Sequence, residues 1–312
     1  MGAEKHRGVG ALALLAVAAG CGESRSGAET MTEDACRAPA APRFADWPMP
    51  NPAVSGLPNP MRYDFSHAGV LVDEVTGLMW QAFPSPELSW PDADTYCADL
   101  RAHGYCDWRT PSRIELVSLV DFSATDPALD PLFPVVDGEF FSASTVEEYR
   151  FALGSDGATR AFTATQLPTA ATRCVRRELP IEVPKTRYVM AGQASDDLVE
   201  DQATGLVWQR RPSASTHSFA GAETYCAELA LDGGGFRVPS MKELQTVLDE
   251  EAPNLIDAAI FPDFPDAPSV TFWTSTPSAR LTARAWFVRG AFTLDIAKDA
   301  GLDAEYFVRC VR

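Results

Sequence analysis

The chain has 312 residues, 46% hydrophobic and 22% charged, a globular composition with room for two domains of ordinary size. Asp and Glu number 43 against 26 Lys and Arg, a formal charge of −17. That balance argues against nucleic acid, anionic membrane surfaces and sulfated polysaccharides as default partners, and it favours solubility.

The chain opens with "MGAEKHRGVGALALLAVAAGC", a basic start at Lys5, His6 and Arg7 followed by small and apolar residues over 8–20. This is a signal-peptide pattern, too short for a comfortable membrane span. Its end, "AAGC", resembles a bacterial lipobox, with Cys21 as the lipid-modified first residue of the mature protein. An ordinary secretory signal cut nearby is the alternative. Both readings deliver the chain to an oxidising compartment, and the first adds a lipid anchor at the outer membrane or cell surface. Residues 22–60 are small and polar, then proline-rich ("APAAPRFADWPMPNPAVSGLPNP"), and read as a tether followed by an extended segment.

From residue 61 the texture is globular. "GVLVDEVTGLMWQ" (69–81) sets two apolar runs around a polar tip, a hairpin signal in which Gly77 takes the backbone angle that a Cβ resists. Ser89 is a candidate N-cap for a helix that Gly104 would stop, with Ala93, Tyr96, Cys97 and Leu100 on one face. Ser112 and Glu115 form a capping box for a second helix, whose inner face is Leu116, Leu119 and Val120. A loop-rich region with short β-type runs follows.

The same order then recurs. "DEVTGLMWQ" (73–81) returns as "DQATGLVWQ" (201–209), an offset of 128. "WPDADTYCADL" (90–100) aligns with "FAGAETYCAEL" (219–229), and "DWRTPSRIELVSLVD" (107–121) with "GFRVPSMKELQTVLD" (235–249). "LDPLFP", "FFSAST" and "TRCVRR" have counterparts in "IDAAIFP", "FWTSTP" and "VRCVR". The second capping box is Ser240 with Glu243, and Leu244, Val247 and Leu248 repeat the inner face. The chain is a tandem duplication, with copies over 61–178 and 186–312 and a linker over 179–185. Each copy is α+β: an opening hairpin, two helices, a loop-rich β region and closing strands.

Cysteines 97 and 226 fall on the matching first helices, and 174 and 310 in the matching "RCVR" segments. The economical pairing is Cys97 with Cys174 and Cys226 with Cys310. Cys36 and Cys106 have no counterpart in the second copy. They either bond to each other, pinning the proline-rich arm onto the first copy, or remain as free or intermolecular thiols.

In combination, "VTGLMWQ", "TYCADL", "DWRTPSRIEL", "FP", "WTST" and "YFVRCVR" resemble the DUF1566 family, also called the Lcl C-terminal domain family. The resemblance implies two tandem C-type-lectin-like domains in an exported bacterial protein. It further implies a non-catalytic binding or adhesion role toward a glycan or a surface protein. The chain lacks the collagen-like Gly-X-Y tract of the adhesin that names the family.

No sequence pattern marks a catalytic or metal centre. His6, His67, His103 and His217 lack zinc-type spacing, and neither a nucleophile-elbow nor a phosphate-loop motif occurs. No cofactor is expected. Two other functions compete with adhesion: a structural envelope lipoprotein that holds protein partners, and a sulfatase-activating-type oxidase, which would need a reactive thiol. Arg109 and Arg237 recur beside prolines; they either grip an anionic ligand or pair with a carboxylate such as Asp73 or Asp201. Among the tryptophans, Trp80 and Trp208 lie in apolar runs and read as core. Trp273 and Trp286 are the candidates for exposed, ligand-stacking aromatics.

Overall fold

The repeated blocks build the same elements twice. A computed structural model describes residues 36–125, 128–134, 137–177, 186–191, 197–250, 256–262, 270–290 and 297–312. The leader, Cys21 and the expected linker over 179–185 lie outside the described residues. In the first copy β1 (Tyr63–Asp64), β2 (Val70–Asp73) and β3 (Leu78–Gln81) form an antiparallel meander. Helices α1 (Trp90–Asp99) and α2 (Arg113–Ser118) follow. Strands β4 (Glu139–Val146), β5 (Tyr149–Gly154) and β6 (Thr159–Phe162) make a second antiparallel sheet, and β7 (Val175–Arg177) returns to pair with β3. The second copy supplies β8 (Tyr188–Ala191), β9 (Leu198–Asp201), β10 (Leu206–Gln209), α3 (Phe219–Glu228) and α4 (Met241–Gln245). Its outer sheet is β11 (Val270–Pro277), β12 (Arg284–Gly290) and β13 (Ala297–Gly301). The architecture is α+β, with several small antiparallel sheets.

The closing segment of the second copy departs from the strand expected over 305–312. It pairs through single bridges, Val311 lying between Trp208 on one side and Arg237 on the other. Val175 sits likewise between β3 and Arg109. The backbone hydrogen bonds of the closing segment are spread over several short partners: Tyr306 on His217, Phe307 on Thr271 and Trp273, Val308 on Ser213, Cys310 on Gln209, Val311 on Arg237 and Arg312 on Val207.

The recurrent letters are explained by shared hydrogen bonds. Asp73 Oδ1 accepts from the backbone N–H groups of Val75 and Thr76 at 2.9 and 3.3 Å, closing the hairpin tip. Gly77 and Gly205 follow with φ of +68° and +74°, angles a Cβ disfavours. Gln81 donates to Tyr96 Oη at 2.8 Å and accepts from the Cys174 N–H at 3.2 Å; Gln209 does the same with Tyr225 and Cys310 at 2.8 and 3.1 Å. The "WQ", "TYC" and "RC" letters therefore form one buried network per copy. Arg173 and Arg309 complete it. Arg173 donates to the carbonyls of Gln81, Ala82 and Pro134 and lies over the Phe133 ring; Arg309 donates to those of Gln209 and Arg210 and lies over Phe261. Burial pulls the Arg173 guanidinium down to about 10, and it stays charged at neutral pH.

Both capping boxes form, Ser112 with Glu115 and Ser240 with Glu243. Helix α1 ends earlier than Gly104, at Asp99, because Leu100 turns extended and packs against the cluster around Cys97, Trp108 and Cys174. Gly104, at φ +81°, instead serves the turn between Ala102 and Tyr105.

One hydrophobic core runs through both copies. Trp80, Leu116 and Leu119 of the first share it with Trp208, Leu244 and Leu248 of the second. The proline-rich stretch read as a tether is, from residue 36, a packed strap. Ala45, Trp47 and Met49 are buried in that same core. Asp46 forks onto Arg177 at 2.6 and 2.7 Å, whereas the Pro50 carbonyl accepts from Lys242 Nζ at 2.8 Å. The strap thus binds the first copy at Asp46 and the second at Pro50. Its hydrophobic anchor is Trp47: a fully buried large side chain stabilises by roughly 1.5–3 kcal/mol or more.

Candidate functional site

The six described cysteines form three disulfides, Cys36–Cys106, Cys97–Cys174 and Cys226–Cys310. These bonds mark an exported, non-cytoplasmic chain. Among the described residues no helix is long and apolar enough to cross a membrane, and no group of three or more His, Cys, Asp or Glu is placed to hold a metal.

Arg109 and Arg237 do not reach the hairpin aspartates. Each forks onto the glutamate of its own capping box, Arg109 onto Glu115 at 2.6 and 2.7 Å and Arg237 onto Glu243 at 2.7 Å twice. The spacing Arg-x-Pro-Ser-x-x-Glu places the guanidinium against the first helical turn, and the fork is geometrically well matched. Asp201 is taken instead by Arg187 at 2.8 Å.

Trp273 is a correction. It is fully buried, its ring is T-shaped against Phe219 at 5.6 Å, and its Nε1 donates to the His217 carbonyl at 2.7 Å. Strand alternation on β11 turns it inward onto α3, so it cannot stack on a ligand. Trp286 points to the opposite side of the outer sheet. It is half-buried and lies edge-on to Phe122 of the first copy at 5.1 Å.

These two rings line a cavity of about 260 Å³ between the copies. Its rim carries Asp156 and Arg160 from the first copy, 2.5 Å apart, with Arg280 and Asp299 from the second. Burial pushes the Asp156 carboxyl up, but Arg160 outweighs it and holds the group below its ordinary value. Trp286 is the candidate residue that the sequence located.

Two cations at the junction of the copies also escaped the sequence reading. Arg113, buried on α2, donates to Glu250 and Gln245 of the second copy at 2.9 and 2.8 Å. Lys242, buried on α4, donates to the Ser118 carbonyl of the first copy at 2.8 Å. Burial lowers its ammonium to about 7, against the pull of Asp73 and Asp121. The available signal was a charged residue on the helix face that otherwise builds the core: the aligned blocks set Arg113 opposite Met241, and Lys242 opposite Ile114.

The geometry defines a class, a duplicated α+β protein in which a disulfide ties the first helix of each copy to its closing segment. Residues 69–176 and 197–312 each match the Lcl C-terminal domain, and the chain belongs to that family. No curated protein matches the sequence.

Proposed function

We propose that this protein is a non-catalytic binding or adhesion module of the cell surface, with a glycan as its ligand. The carrying observation is the half-buried indole of Trp286 in a cavity whose rim offers carboxylate and guanidinium groups. An indole face takes the C–H face of a sugar ring, while convergent charged groups exchange hydrogen bonds with its hydroxyls. The rim pairs both charge signs, which suits a neutral sugar better than a sulfated one.

In this reading each copy is a C-type-lectin-like domain, supported by the helix-to-closing-segment disulfide and the small paired sheets. The chain is lipid-anchored through Cys21, which the lipobox-like "AAGC" supports. Pairing of all six cysteines beyond the leader favours binding over the thiol chemistry of an oxidase.

A glycan array probed with the full-length protein and with Trp286→Ala tests the site. Selective binding by the parent, weakened at least tenfold in the variant, is expected. Absence of binding to any glycan would remove the lectin reading and leave the structural-lipoprotein one. Phe65 and Phe83, 64% and 63% exposed, favour protein contact in that second case.

A further inference from the structure

The two copies differ in what fills the space between their first helix and their outer sheet. In the first copy that space holds a side chain of the protein itself. Arg150, on β5 and 4% exposed, donates through Nη2 to Asp94 Oδ1 at 2.5 Å, through Nη1 to the Trp90 carbonyl at 3.1 Å and through Nε to the Ser142 carbonyl. Its guanidinium carbon lies 5.9 and 5.6 Å from the rings of Trp90 and Phe141, within reach of a cation–π attraction. Thr110 donates to the same Asp94 oxygen at 2.8 Å.

In the second copy the guanidinium is missing. Thr145 pairs with Arg150 across β4 and β5, and the aligned Pro277 pairs with Ala285 across β11 and β12. Alanine therefore stands where arginine stood. By the same alignment Glu223 takes the place of Asp94 and Val238 that of Thr110. Trp273, larger than Phe141, fills the inner part of the space. The outer part opens into a cavity of about 530 Å³, whose lining includes Glu223, Val238 and Pro277.

The rest of that cavity is mostly apolar, with Leu57 of the strap, Phe122 of the first copy and Phe236 of the second among its walls. Its two cations are engaged: Arg237 by the fork to Glu243, and Lys242 by the carbonyls of Pro50 and Ser118. Glu223 is exposed and makes no ion pair among the described residues. An unmatched carboxylate at the mouth of an apolar hollow, on a chain of net charge −17, selects a cation carried on an aliphatic stem.

We propose that this cavity binds the side chain of an arginine presented by another polypeptide. Glu223 accepts its guanidinium as Asp94 accepts that of Arg150, and its methylenes lie against Phe122 and Phe236. The proposal does not depend on the glycan reading, which concerns the cavity of Trp286.

The test is a chemical-shift titration of the full-length, disulfide-bonded protein with Nα-acetyl-arginine methylamide and with its neutral citrulline counterpart. Saturable binding of the arginine compound is expected, at least fivefold tighter than the citrulline one. Glu223→Gln should weaken it at least fivefold. Ala285→Arg, which gives the second copy its own guanidinium, should abolish it. Absence of saturable binding, or a loss under fivefold with either citrulline or Glu223→Gln, overturns the proposal. Ala285 is fully buried; should its arginine variant not fold, the exposed Glu223→Gln decides alone.

Discussion

Arg113 and Glu250 stand 137 residues apart in the chain and meet at 2.9 Å, Nε to Oε1, with their side chains 1% and 7% exposed. One belongs to the first copy and the other to the second, so this pair is a bond between the repeats and not within one. Removing a single partner strands a buried charge. Arg113→Met, which installs the residue found at the aligned position in the second copy, should cost about 3–5 kcal/mol in denaturant unfolding. Adding Glu250→Gln should recover much of the loss. Additive losses in the double variant would show that the two groups do not couple.

Lys242 makes stability depend on pH in a definite direction. Its folded value is about 7 against an ordinary 10.5. Below pH 7 both folded and unfolded chains hold the proton, and the cost of burying it is present in full. Between pH 7 and 10.5 the unfolded chain binds the additional proton, so stability rises with pH by about 1 kcal/mol per unit from this group. Lys242→Met should remove that rise. The difference between parent and variant unfolding curves at pH 6, 8 and 10 isolates the lysine from the other titrating groups.

The Cys36–Cys106 bond holds the strap to the first copy and spans 70 residues. Chain entropy alone assigns about 4 kcal/mol to closing a loop of that length. The paired Cys36→Ser and Cys106→Ser variant should melt lower by several degrees. It should also become cleavable by protease before Trp47, with the two repeats left intact. Unchanged protease resistance would mean that Trp47 and Asp46 secure the strap unaided.

Gln81 links the hairpin, the first helix and the closing segment in one side chain. Gln81→Leu keeps the volume but leaves Tyr96 Oη and the Cys174 N–H without that partner. A loss of about 1–3 kcal/mol is expected from unfolding curves. The same change at Gln209 should cost a similar amount, since Tyr225 and Cys310 depend on it equally.

Much of this was written in the sequence. Hairpin tips, both capping boxes and two disulfide pairings follow from local letters, because each depends on residues a few positions apart or on the alignment of the copies. Trp273 is not legible as core because an aromatic within a strand looks the same from either face; only the sheet's packing against α3 says which side is inside. The strap was misjudged for a related reason. Proline excludes regular structure, and its abundance says nothing about burial, which Ala45, Trp47 and Met49 decide by packing into the shared core. The cavities were invisible because each takes walls from both copies, and no spacing rule connects Phe122 to Trp286 or to Glu223.

The core that runs through both copies has a consequence for how the protein could diversify. Arg113 of α2 reaches the residues after α4, and Lys242 of α4 reaches the end of α2. Each copy thus grips the other through the same helix, as the subunits of a twofold homodimer do, here within one polypeptide. In a true homodimer a new residue on this helix appears on both sides of the axis at once. Encoded twice, the halves are free of that constraint. One can hold an arginine where its sister holds a methionine, or keep its cleft closed by its own side chain while the sister's stands open.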